Sequence, residues 1–515
     1  MMNTEKTAGQ KLMAWIDARV PLTALIENSA TKYYAPKNFN FWYFFGSLAL
    51  LVLVIQIVTG IFLTMNYKPD ASLNAAGLPV AFDAVEYIMR DVSGGSILRY
   101  MHSTGASMFF VVVYLHMFRG LVYGSYKQPR ELIWIFGMMI FLCLMAEAFM
   151  GYLLPWGQMS YWGAAVIVNL FGSLPVIGPD LTIFIRGDYV VSDAVLNRFF
   201  ALHVIAIPLI LLGLVAAHLV ALHEVGSNNP DGVEINDHKD ASGKPIDGIA
   251  FHPYYTVKDI LGVVIFLIAF TAIVFFAPEG GGYFLEKPNF EAANPMKTPL
   301  HIAPVWYFTP YYAILRAIPS FFSTQVWGVI GMGGAVVSLA FLPWLDRSPV
   351  KSIRYRGTRF TVALVLFLIS IICLGILGTL TANTTRTLIA QVLSFVYFGF
   401  LFLMPLYTPL DSKPNTHQVG RNRVIVLLLL LASVISTYYF VYTNAAQSFI
   451  YLNNLVVAAW ALFCGALVFF TPWNACLEAE KNPERVTENT PHRQMMFWVY
   501  WAIVLVGVYA FYHYV

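Results

Sequence analysis

Two apolar segments of the chain each contain a pair of histidines: RYMHSTGASMFFVVVYLHMFR at residues 99–119 and FALHVIAIPLILLGLVAAHLV at residues 200–220. Each segment is long enough to cross the hydrocarbon core of a bilayer as a helix. A single histidine at that depth is often an ordinary hydrogen-bonding residue between helices, but ionisable side chains in a membrane are costly and mark functional positions. Four of them on two segments therefore indicate a shared site.

The spacing places both histidines of each segment on one face of a helix. A helix turns by about 100° per residue, so the 14 residues from His102 to His116 bring the second ring to within about 40° of the first. The 15 residues from His203 to His218 leave an offset of about 60°, and a kink at Pro208 can absorb the remainder. Within each pair the rings lie about 21 to 23 Å apart along the helix.

One predicted span lies between the two segments, so their helices run parallel. His102 then pairs with His203 near the outer membrane surface, and His116 pairs with His218 near the inner one. Two such bis-imidazole sites have the geometry of two b-type haems stacked across a bilayer. The sequence therefore predicts a chain that carries electrons through a membrane. The alternative from a different functional class is a transporter that uses intramembrane histidines as a proton relay.

Composition places the chain among membrane proteins. It has 515 residues, of which 58% are hydrophobic and 11% charged, as is typical of a polytopic membrane protein. The four cysteines are scattered, with no C-x-x-C-H for covalent haem attachment and no cluster for an iron–sulfur centre. Axial histidines and packing alone must therefore hold any haem. We expect no removable signal peptide and no nucleic-acid partner.

Hydropathy predicts an all-α polytopic membrane protein with eleven spans. They cover residues 41–66, 98–123, 131–154, 197–222, 258–278, 324–345, 360–381, 388–409, 424–443, 452–471 and 495–513. Basic residues cluster in the N-terminal arm, after the second span and after the sixth, which the positive-inside rule makes the cytoplasmic side. The loops 155–196 and 279–323 lie on the opposite side and are rich in Gly, Pro, Trp and Tyr, so short helices are expected to cap a pocket there.

The spans divide the chain into four predicted regions. Residues 1–40 form a cytoplasmic arm, residues 41–230 a four-helix haem-binding domain, residues 231–410 a second domain with the long outer loop, and residues 411–515 a C-terminal extension with about three spans.

Glycines repeat the histidine spacing in the first and third spans. Gly46 and Gly60 are 14 residues apart, and so are Gly137 and Gly151. Glycine lets a flat macrocycle or another helix approach the backbone closely. The matched period therefore predicts that two haem edges pack at the same two depths.

Two arginines lie three residues from histidines, Arg99 before the first and Arg119 after the second. Each could pair with a haem propionate, which would otherwise be a buried anion. Basic residues at the ends of spans also reach the membrane surface without any such role.

Six longer runs of sequence closely resemble the cytochrome b family, the quinol-oxidising subunits of cytochrome bc1 complexes. They are RYMHSTGAS at 99–107, GYLLPWGQMSYWGA at 151–164, NRFFALH at 197–203, HEVGSNNP at 223–230, FHPYYTVKDILG at 251–262 and PVWYFTPYYAILRAIP at 304–319. The resemblance covers about residues 35–410. It implies an eight-helix core with a low-potential haem near the outer surface, a high-potential haem near the inner surface, and two quinone sites.

The resemblance also assigns residues to the two quinone sites. The outer quinol site would be lined by Phe149, Tyr152, Gly163, Pro304, Tyr307 and Tyr312. The inner quinone site would use His223, Lys258 and Asp259. The inner assignment agrees with chemistry, because a histidine and an aspartate at the cytoplasmic rim can hand protons to a reduced quinone.

The sequence departs from the family in three places. The 15-residue histidine spacing in the fourth span resembles cytochrome b6 rather than mitochondrial cytochrome b. Val305 stands where the family usually has the glutamate that serves as the proton-exit group. About 100 residues follow the usual C-terminal end. Because valine cannot take a proton, we consider Glu147, an acid deep in the third span, as a replacement; a carboxyl that only hydrogen-bonds to a neighbouring helix is the alternative.

The resemblance implies quinol oxidation at the outer site, with one electron passing to a Rieske iron–sulfur protein and on to cytochrome c1, and the other crossing to the inner site. Both proteins must be separate chains. A homodimeric complex, bound lipid and the bacterial cytoplasmic membrane are expected. A b6f-type or other Rieske/cytochrome b complex is the close alternative, disfavoured because the chain is continuous and no cysteine precedes Cys143.

Deletion of the chain from about residue 415 onward should leave both haems bound, since every predicted ligand lies before that point. A reduced-minus-oxidised visible spectrum of the truncated chain in membranes is the measurement. Loss of both b-type signals from a truncated chain that still inserts would place the extension in the haem-holding core.

Overall fold

The computed structural model describes residues 7–27, 31–320, 324–410 and 484–487. Within them, seven helices are long and apolar enough to cross a membrane, and they correspond to seven of the first eight predicted spans. The predicted spans at 424–443, 452–471 and 495–513 lie outside the described residues.

The described residues are mostly helical. Its helices are α1 Ala8–Asp17, α2 Leu22–Ile26, α3 Phe44–Thr64, α4 Val80–Arg90, α5 Gly95–Tyr123, α6 Glu131–Leu153, α7 Gln158–Phe171, α8 Gly178–Arg186, α9 Asp193–Ala201, α10 Ile207–Val225, α11 Phe251–Phe276, α12 Thr309–Ala317, α13 Val326–Ala340, α14 Leu342–Leu345, α15 Thr358–Thr379, α16 Thr384–Phe402 and α17 Met404–Tyr407. Two short strands, β1 Tyr34–Pro36 and β2 Gly248–Ala250, form an antiparallel ladder. Helices predominate because a backbone in lipid must satisfy its hydrogen bonds within the segment.

The fourth span is continuous from Asp193 to Val225, and its 15-residue histidine spacing is accommodated by a π-helical turn. This turn covers Leu202–Ala206, and the Ile207 N–H donates to the Leu202 carbonyl five residues back. A π-turn inserts one extra residue into a helix. The turn, immediately before Pro208, therefore returns His218 to the face of His203, where the sequence predicted a proline kink.

The sixth predicted span, 324–345, is shorter than expected. Its long helix α13 has only 15 residues, and Phe341 separates it from the short helix α14. Pro343 has no N–H to donate to the Leu339 carbonyl, four residues earlier. That carbonyl accepts a hydrogen bond from Trp134 Nε1 at 2.8 Å instead. The proline thus ends α13, and the neighbouring helix α6 satisfies the freed acceptor.

Close helix contacts occur where one helix presents glycine. Gly105 of α5 lies against the Gln56 side chain of α3, and a Cβ at Gly262 of α11 would lie 3.3 Å from the Phe44 ring of α3. Gly378 of α15 lies against the Thr309 carbonyl at the start of α12. Small residues allow helices in a membrane to approach closely. The two predicted outer loops contain α7, α8 and α12, which confirms the expectation of short helices there.

A buried ionic cluster joins two loops on the inner face. The Asp346 and Arg356 side chains have no solvent exposure, and Arg356 Nη1 lies 2.7 Å from Asp346 Oδ2. Lys127 Nζ lies 3.0 Å from the same oxygen, and the Tyr126 hydroxyl donates to it at 2.5 Å. The turn after α5 and the loop before α15 are therefore locked together, on one side, as the positive-inside pattern predicted.

The loop between α10 and β2 joins the same face. Glu234 accepts a bidentate pair of hydrogen bonds from Arg130 at 2.7 and 2.8 Å, and Lys351 Nζ lies 2.5 Å from its Oε1. Burial by itself would raise the pKa of Glu234, but Arg130 and Lys351 lower it below its usual value. The carboxylate therefore stays charged at neutral pH.

Asp346→Asn should strongly destabilise the chain, because it leaves Arg356 and Lys127 buried without their counter-charge. Removing one partner of a buried ion pair costs about 3 to 5 kcal/mol. We expect a lower midpoint of thermal unfolding in detergent micelles. Glu86→Gln, which removes the exposed Arg90–Glu86 pair of α4, is the control and should cost about 1 kcal/mol or less. Equal unfolding midpoints for the two variants would show that the buried ion pairs of Asp346 do not stabilise the chain.

Candidate functional site

The outer histidine pair lies between α5 and the π-turn of the fourth span. The ring centroids of His102 and His203 are 6.2 Å apart. Thr59 of α3 places its hydroxyl 2.9 Å from His102 Nδ1 and donates to the Ile55 carbonyl at 2.7 Å, so it accepts from the imidazole. The proton on Nδ1 leaves Nε2 of His102 as the metal-binding nitrogen.

The partner ring is oriented in the same way from α6. His203 Nδ1 lies 3.0 Å from the Glu147 carbonyl oxygen and 3.0 Å from Glu147 Oε1. Both oxygens accept, so Nδ1 carries the proton and Nε2 is left for a metal. A carboxylate or carbonyl behind a ligating histidine fixes its tautomer and its orientation.

The inner histidine pair lies nearer the loops that hold the buried ionic cluster, and no acceptor among the described residues is hydrogen-bonded to either of its Nδ1 atoms. The ring centroids of His116 and His218 are 6.4 Å apart. The sequence pairing of first with first and second with second thus agrees with the placement of all four rings.

Both pairs fit a haem iron. A metal ion bonds to an imidazole nitrogen at about 2 Å, and the ring centre lies roughly 1 Å beyond it, so two axial imidazoles need centroids about 6 Å apart. The observed 6.2 and 6.4 Å meet this requirement. Among the described residues no three His, Cys, Asp or Glu side chains come together as a metal site. Each pair could supply the two axial ligands of an iron that a porphyrin holds.

Each of the four predicted glycines faces one histidine ring. A Cβ would lie 3.2 Å from His116 Cε1 at Gly46, 3.3 Å from His102 Cε1 at Gly60 and 3.5 Å from His218 Cε1 at Gly137. Gly151 lies against the His203 ring even more closely. The glycines thus leave room for the four imidazole rings; the packing of haem edges at these glycines stays a prediction.

Arg119 reaches into the inner histidine site. Its Nη2 lies 3.4 Å from His116 Nδ1, and its Cζ lies 4.7 Å from the centroid of the Tyr43 ring. Its buried Nε has no hydrogen-bond partner among the described residues. A buried donor without an acceptor suits an anionic group such as a propionate. Arg99, the corresponding arginine of the outer site, is partly buried one turn from His102.

Three of the predicted outer-site residues, Tyr152, Gly163 and Tyr307, lie near one another. Tyr307 is 4% exposed and stacks on Phe110 at 3.9 Å between centroids. Val305 is also 4% exposed. A Cβ at Gly163 of α7 would lie 3.8 Å from the Tyr152 ring. Pro304, partly buried, precedes Val305, and Phe149 packs its ring edge-on against Phe199 at 5.5 Å.

Tyr312, another predicted outer-site residue, makes its hydrogen bond to a backbone carbonyl rather than to the other predicted residues. Its hydroxyl is 3.4 Å from the Ile302 carbonyl, and Arg316 lies over its ring at 4.7 Å.

A carboxyl group that the sequence analysis did not identify faces the outer site. Glu286, in the loop after α11, accepts a hydrogen bond from the Tyr152 hydroxyl at 3.0 Å. Burial raises the pKa of Glu286 to about 7. The sequence shows an acidic residue in the aromatic, glycine-rich outer loop. It does not show that this loop contacts Tyr152. Glu147, the acid proposed from the sequence, lies against His203 instead, and its role in proton transfer stays a prediction.

The inner-site candidates lie at the cytoplasmic ends of α10 and α11. His223 Nδ1 donates a hydrogen bond to the Leu219 carbonyl at 2.9 Å. Lys258 Nζ lies 2.7 Å from the Tyr254 hydroxyl, and Asp259 is the next residue of α11.

A series of aromatic rings connects these two helix ends. Tyr33 packs on His223 at 4.8 Å and on Phe251 at 6.2 Å, and Phe251 packs on Tyr255 at 5.9 Å. Tyr33, from the N-terminal arm, is therefore a second residue that the sequence analysis missed.

Comparisons with known proteins agree with this geometry. A family model described as "Cytochrome b/b6/petB" matches residues 30–226, and one described as "Cytochrome b(C-terminal)/b6/petD" matches residues 292–398. The first covers both histidine pairs, and the second covers the Pro-Val-Trp-Tyr motif and α12.

Relatives cover the same part of the chain. "Cytochrome b" of Allochromatium vinosum is 57% identical over 423 residues, which is 81% of this chain and 100% of that protein. "Cytochrome b" of Rhodospirillum rubrum is 48% identical over 406 residues, 79% of this chain and 95% of that protein. A solved chain of "Hyperthermophilic respiratory Complex III" is 38% identical, with a TM-score of 0.69 over 79% of this chain and 99% of that one. The helices, the paired imidazoles and these matches together show that the chain belongs to the cytochrome b family.

Proposed function

We propose that this cytochrome b is the quinol-oxidising and quinone-reducing subunit of a bc1-type complex III in a bacterial cytoplasmic membrane. The single observation that carries the proposal is the presence of two imidazole pairs, with centroids 6.2 and 6.4 Å apart, at two depths between the same two membrane spans. Two non-covalent b-type haems, when bound, supply a one-electron path between the membrane faces. The family resemblance makes the outer haem the low-potential one and the inner haem the high-potential one.

The protein holds each haem through ligands and their partners. His102 and His203 would bind the outer iron, with Thr59 and Glu147 accepting the Nδ1 protons behind them. His116 and His218 would bind the inner iron. Arg99 and Arg119 would pair with propionates.

At the outer site the residues bind quinol and remove its protons. Oxidation of a quinol releases two electrons and two protons, so a base must lie at the pocket. Tyr152 and Glu286 form a hydrogen-bonded pair there, and Val305 supplies only an apolar wall. A carboxyl group with a pKa of about 7 can both accept and release a proton near neutrality. Glu286 therefore takes the proton role that the residue at 305 cannot perform.

At the inner site His223, Lys258 and Asp259 deliver protons to a quinone as it is reduced. They lie at the face where the charged loops meet, so protons come from the cytoplasmic side. The chain has no cysteine motif for an iron–sulfur cluster or for a c-type haem. We expect a Rieske protein and a cytochrome c1 on separate chains as its electron-transfer partners, which the similarity to a chain of a respiratory complex III supports, in a complex that is dimeric and binds lipid.

His116→Leu should remove the inner haem, because leucine cannot ligate iron, and should leave the outer haem in place. The measurement is a redox titration of the b-type difference spectrum in membranes, which should lose its high-potential component. His102→Leu is the matched variant and should lose the low-potential component. Loss of the low-potential component in His116→Leu would reverse the pairing or the membrane orientation.

Glu286→Gln should slow quinol oxidation by about 100-fold, the usual lower range for loss of a general base. The base must be ionised, so the wild-type rate should rise with pH through about 7, where burial places the pKa of Glu286. That rise should disappear in the glutamine variant. Steady-state quinol oxidation against pH, at constant haem content, is the measurement.

Glu147→Gln is the comparison for this test. Because Glu147 contacts His203, its loss should shift the potential of the outer haem and leave the rise near pH 7 in place. A rise that survives in Glu286→Gln and disappears in Glu147→Gln would instead support the role predicted for Glu147 from the sequence.

A further inference from the structure

The residues 484–487 of the C-terminal extension are seated on the inner face of the core. Val486 is 6% exposed and Thr487 4% exposed, whereas the Glu484 side chain is 76% exposed. These four residues, which we call the clasp, contact the loop between α10 and β2 near both of its ends.

One end of the loop is held at Asp231, which is 7% exposed. Its Oδ2 accepts hydrogen bonds from the Thr487 N–H and the Thr487 hydroxyl, both at 2.8 Å. Arg354 Nη1 lies 2.9 Å from its Oδ1, and Asn38 donates to its Oδ2 at 2.7 Å. Burial alone would raise the pKa of Asp231, but Arg354, Tyr355 and Thr487 lower it below its usual value. Asp231 is therefore a charged centre that joins the arm, the loop before α15 and the clasp.

The other end of the loop is held at Asp247. Arg485 binds its carboxylate through two atoms, at 2.7 Å from Nε and 2.9 Å from Nη2, and the Val486 N–H donates to it at 3.2 Å. Lys37 lies 3.2 Å from the same carboxylate. A bidentate arginine–carboxylate pair fixes orientation as well as distance. The clasp thus holds the residue that immediately precedes β2.

A short series of contacts leads from Asp247 to the inner quinone site. β2 pairs with β1, and the Phe251 N–H donates to the Tyr33 carbonyl at 2.9 Å. The Tyr33 ring packs on His223 at 4.8 Å, and its hydroxyl is 3.0 Å from Ser227 Oγ. The position of the Tyr33 ring beside His223 therefore depends on the register of the two strands.

We propose that Arg485 and Thr487 are positioning residues for the inner quinone site. By fixing Asp247 and Asp231, the clasp holds the β1–β2 ladder so that Tyr33 keeps the His223 ring in place for the quinone. This inference rests on the proposed function, because it takes His223 to be part of the inner site. It also gives the extension a role in quinone binding, although the extension lies beyond the part of the chain that resembles the family.

The test uses the full chain assembled in its complex, with a double variant Arg485→Ala and Thr487→Val. The outer site is blocked with an inhibitor, and the inner haem is reduced by added short-chain quinol through the inner site. We expect the concentration for half-maximal rate to rise by about fivefold, the scale of coupling through a contact network, while the maximal rate stays the same. Hydrogen exchange should accelerate in peptides covering 31–38 and 246–252. Outer-site quinol oxidation and both haem signals should not change.

Two variants make the result specific. Glu484→Gln changes a charge in the same segment that is exposed and 3.9 Å from His238, so it should behave as wild type. Arg485→Lys, with Thr487 unchanged, keeps a cation beside Asp247. It should therefore have most of the quinol affinity that the double variant loses. Faster hydrogen exchange with unchanged quinol affinity would make the clasp merely structural and overturn the proposal. Unchanged exchange and unchanged affinity would also overturn it.

His223→Ala, with the clasp intact, separates this inference from the proposed function. A wild-type response to quinol in His223→Ala would overturn the inner-site assignment itself. A weakened response in His223→Ala, with a wild-type response in the double clasp variant, would overturn only the role of the clasp.

Discussion

Two imidazole rings can share one iron only at a fixed separation, and the helices around them are arranged to keep that separation. An iron between two axial histidines requires ring centres about 6 Å apart, and this must hold at two depths in the membrane. Two helices meet it only if both histidines of each helix share a face. α5 meets the condition by its 14-residue spacing, and the fourth span by a π-turn that absorbs its additional residue. The four facing glycines then allow the neighbouring helices α3 and α6 to close around the rings.

Carboxyl groups have different surroundings on the two membrane faces. On the inner face, carboxylates such as Asp346 and Glu234 are buried with arginine and lysine partners, which fixes the loops in place and keeps the carboxylates charged. On the outer face, Glu286 is buried and accepts a hydrogen bond from Tyr152, and burial raises its pKa to about 7. The same burial penalty therefore has different outcomes: arginine and lysine offset it on the inner face, whereas at Glu286 it raises the pKa into the range that the proposed proton transfer requires.

Two of the three departures from the family, Val305 and the C-terminal extension, have counterparts in contacts between distant segments. Val305 removes an acid from the outer motif, and Glu286 brings an acid to Tyr152 from a different part of the same loop. The extension adds residues beyond the eight-helix core. Its residues 484–487 lie on the inner face, where they donate hydrogen bonds to Asp231 and Asp247. In both cases the change lies in the contacts between distant segments rather than within a span.

Hydropathy and helical period in the sequence were sufficient to predict seven spanning helices of the described chain and to place both histidines of each helix on one face, because these patterns are properties of a single segment and are repeated along it. The same period predicted that Gly46, Gly60, Gly137 and Gly151 would lie at the depths of the histidines. Tertiary structure alone decided which atoms meet across segments. It directed Glu147 to His203 rather than to Tyr152, brought Glu286 to Tyr152 from an irregular loop, ended α13 where α6 takes the freed carbonyl, and seated residues 484–487 on the loop before β2. Such contacts depend on the packing of residues up to about 250 positions apart, and no local period in the sequence encodes them.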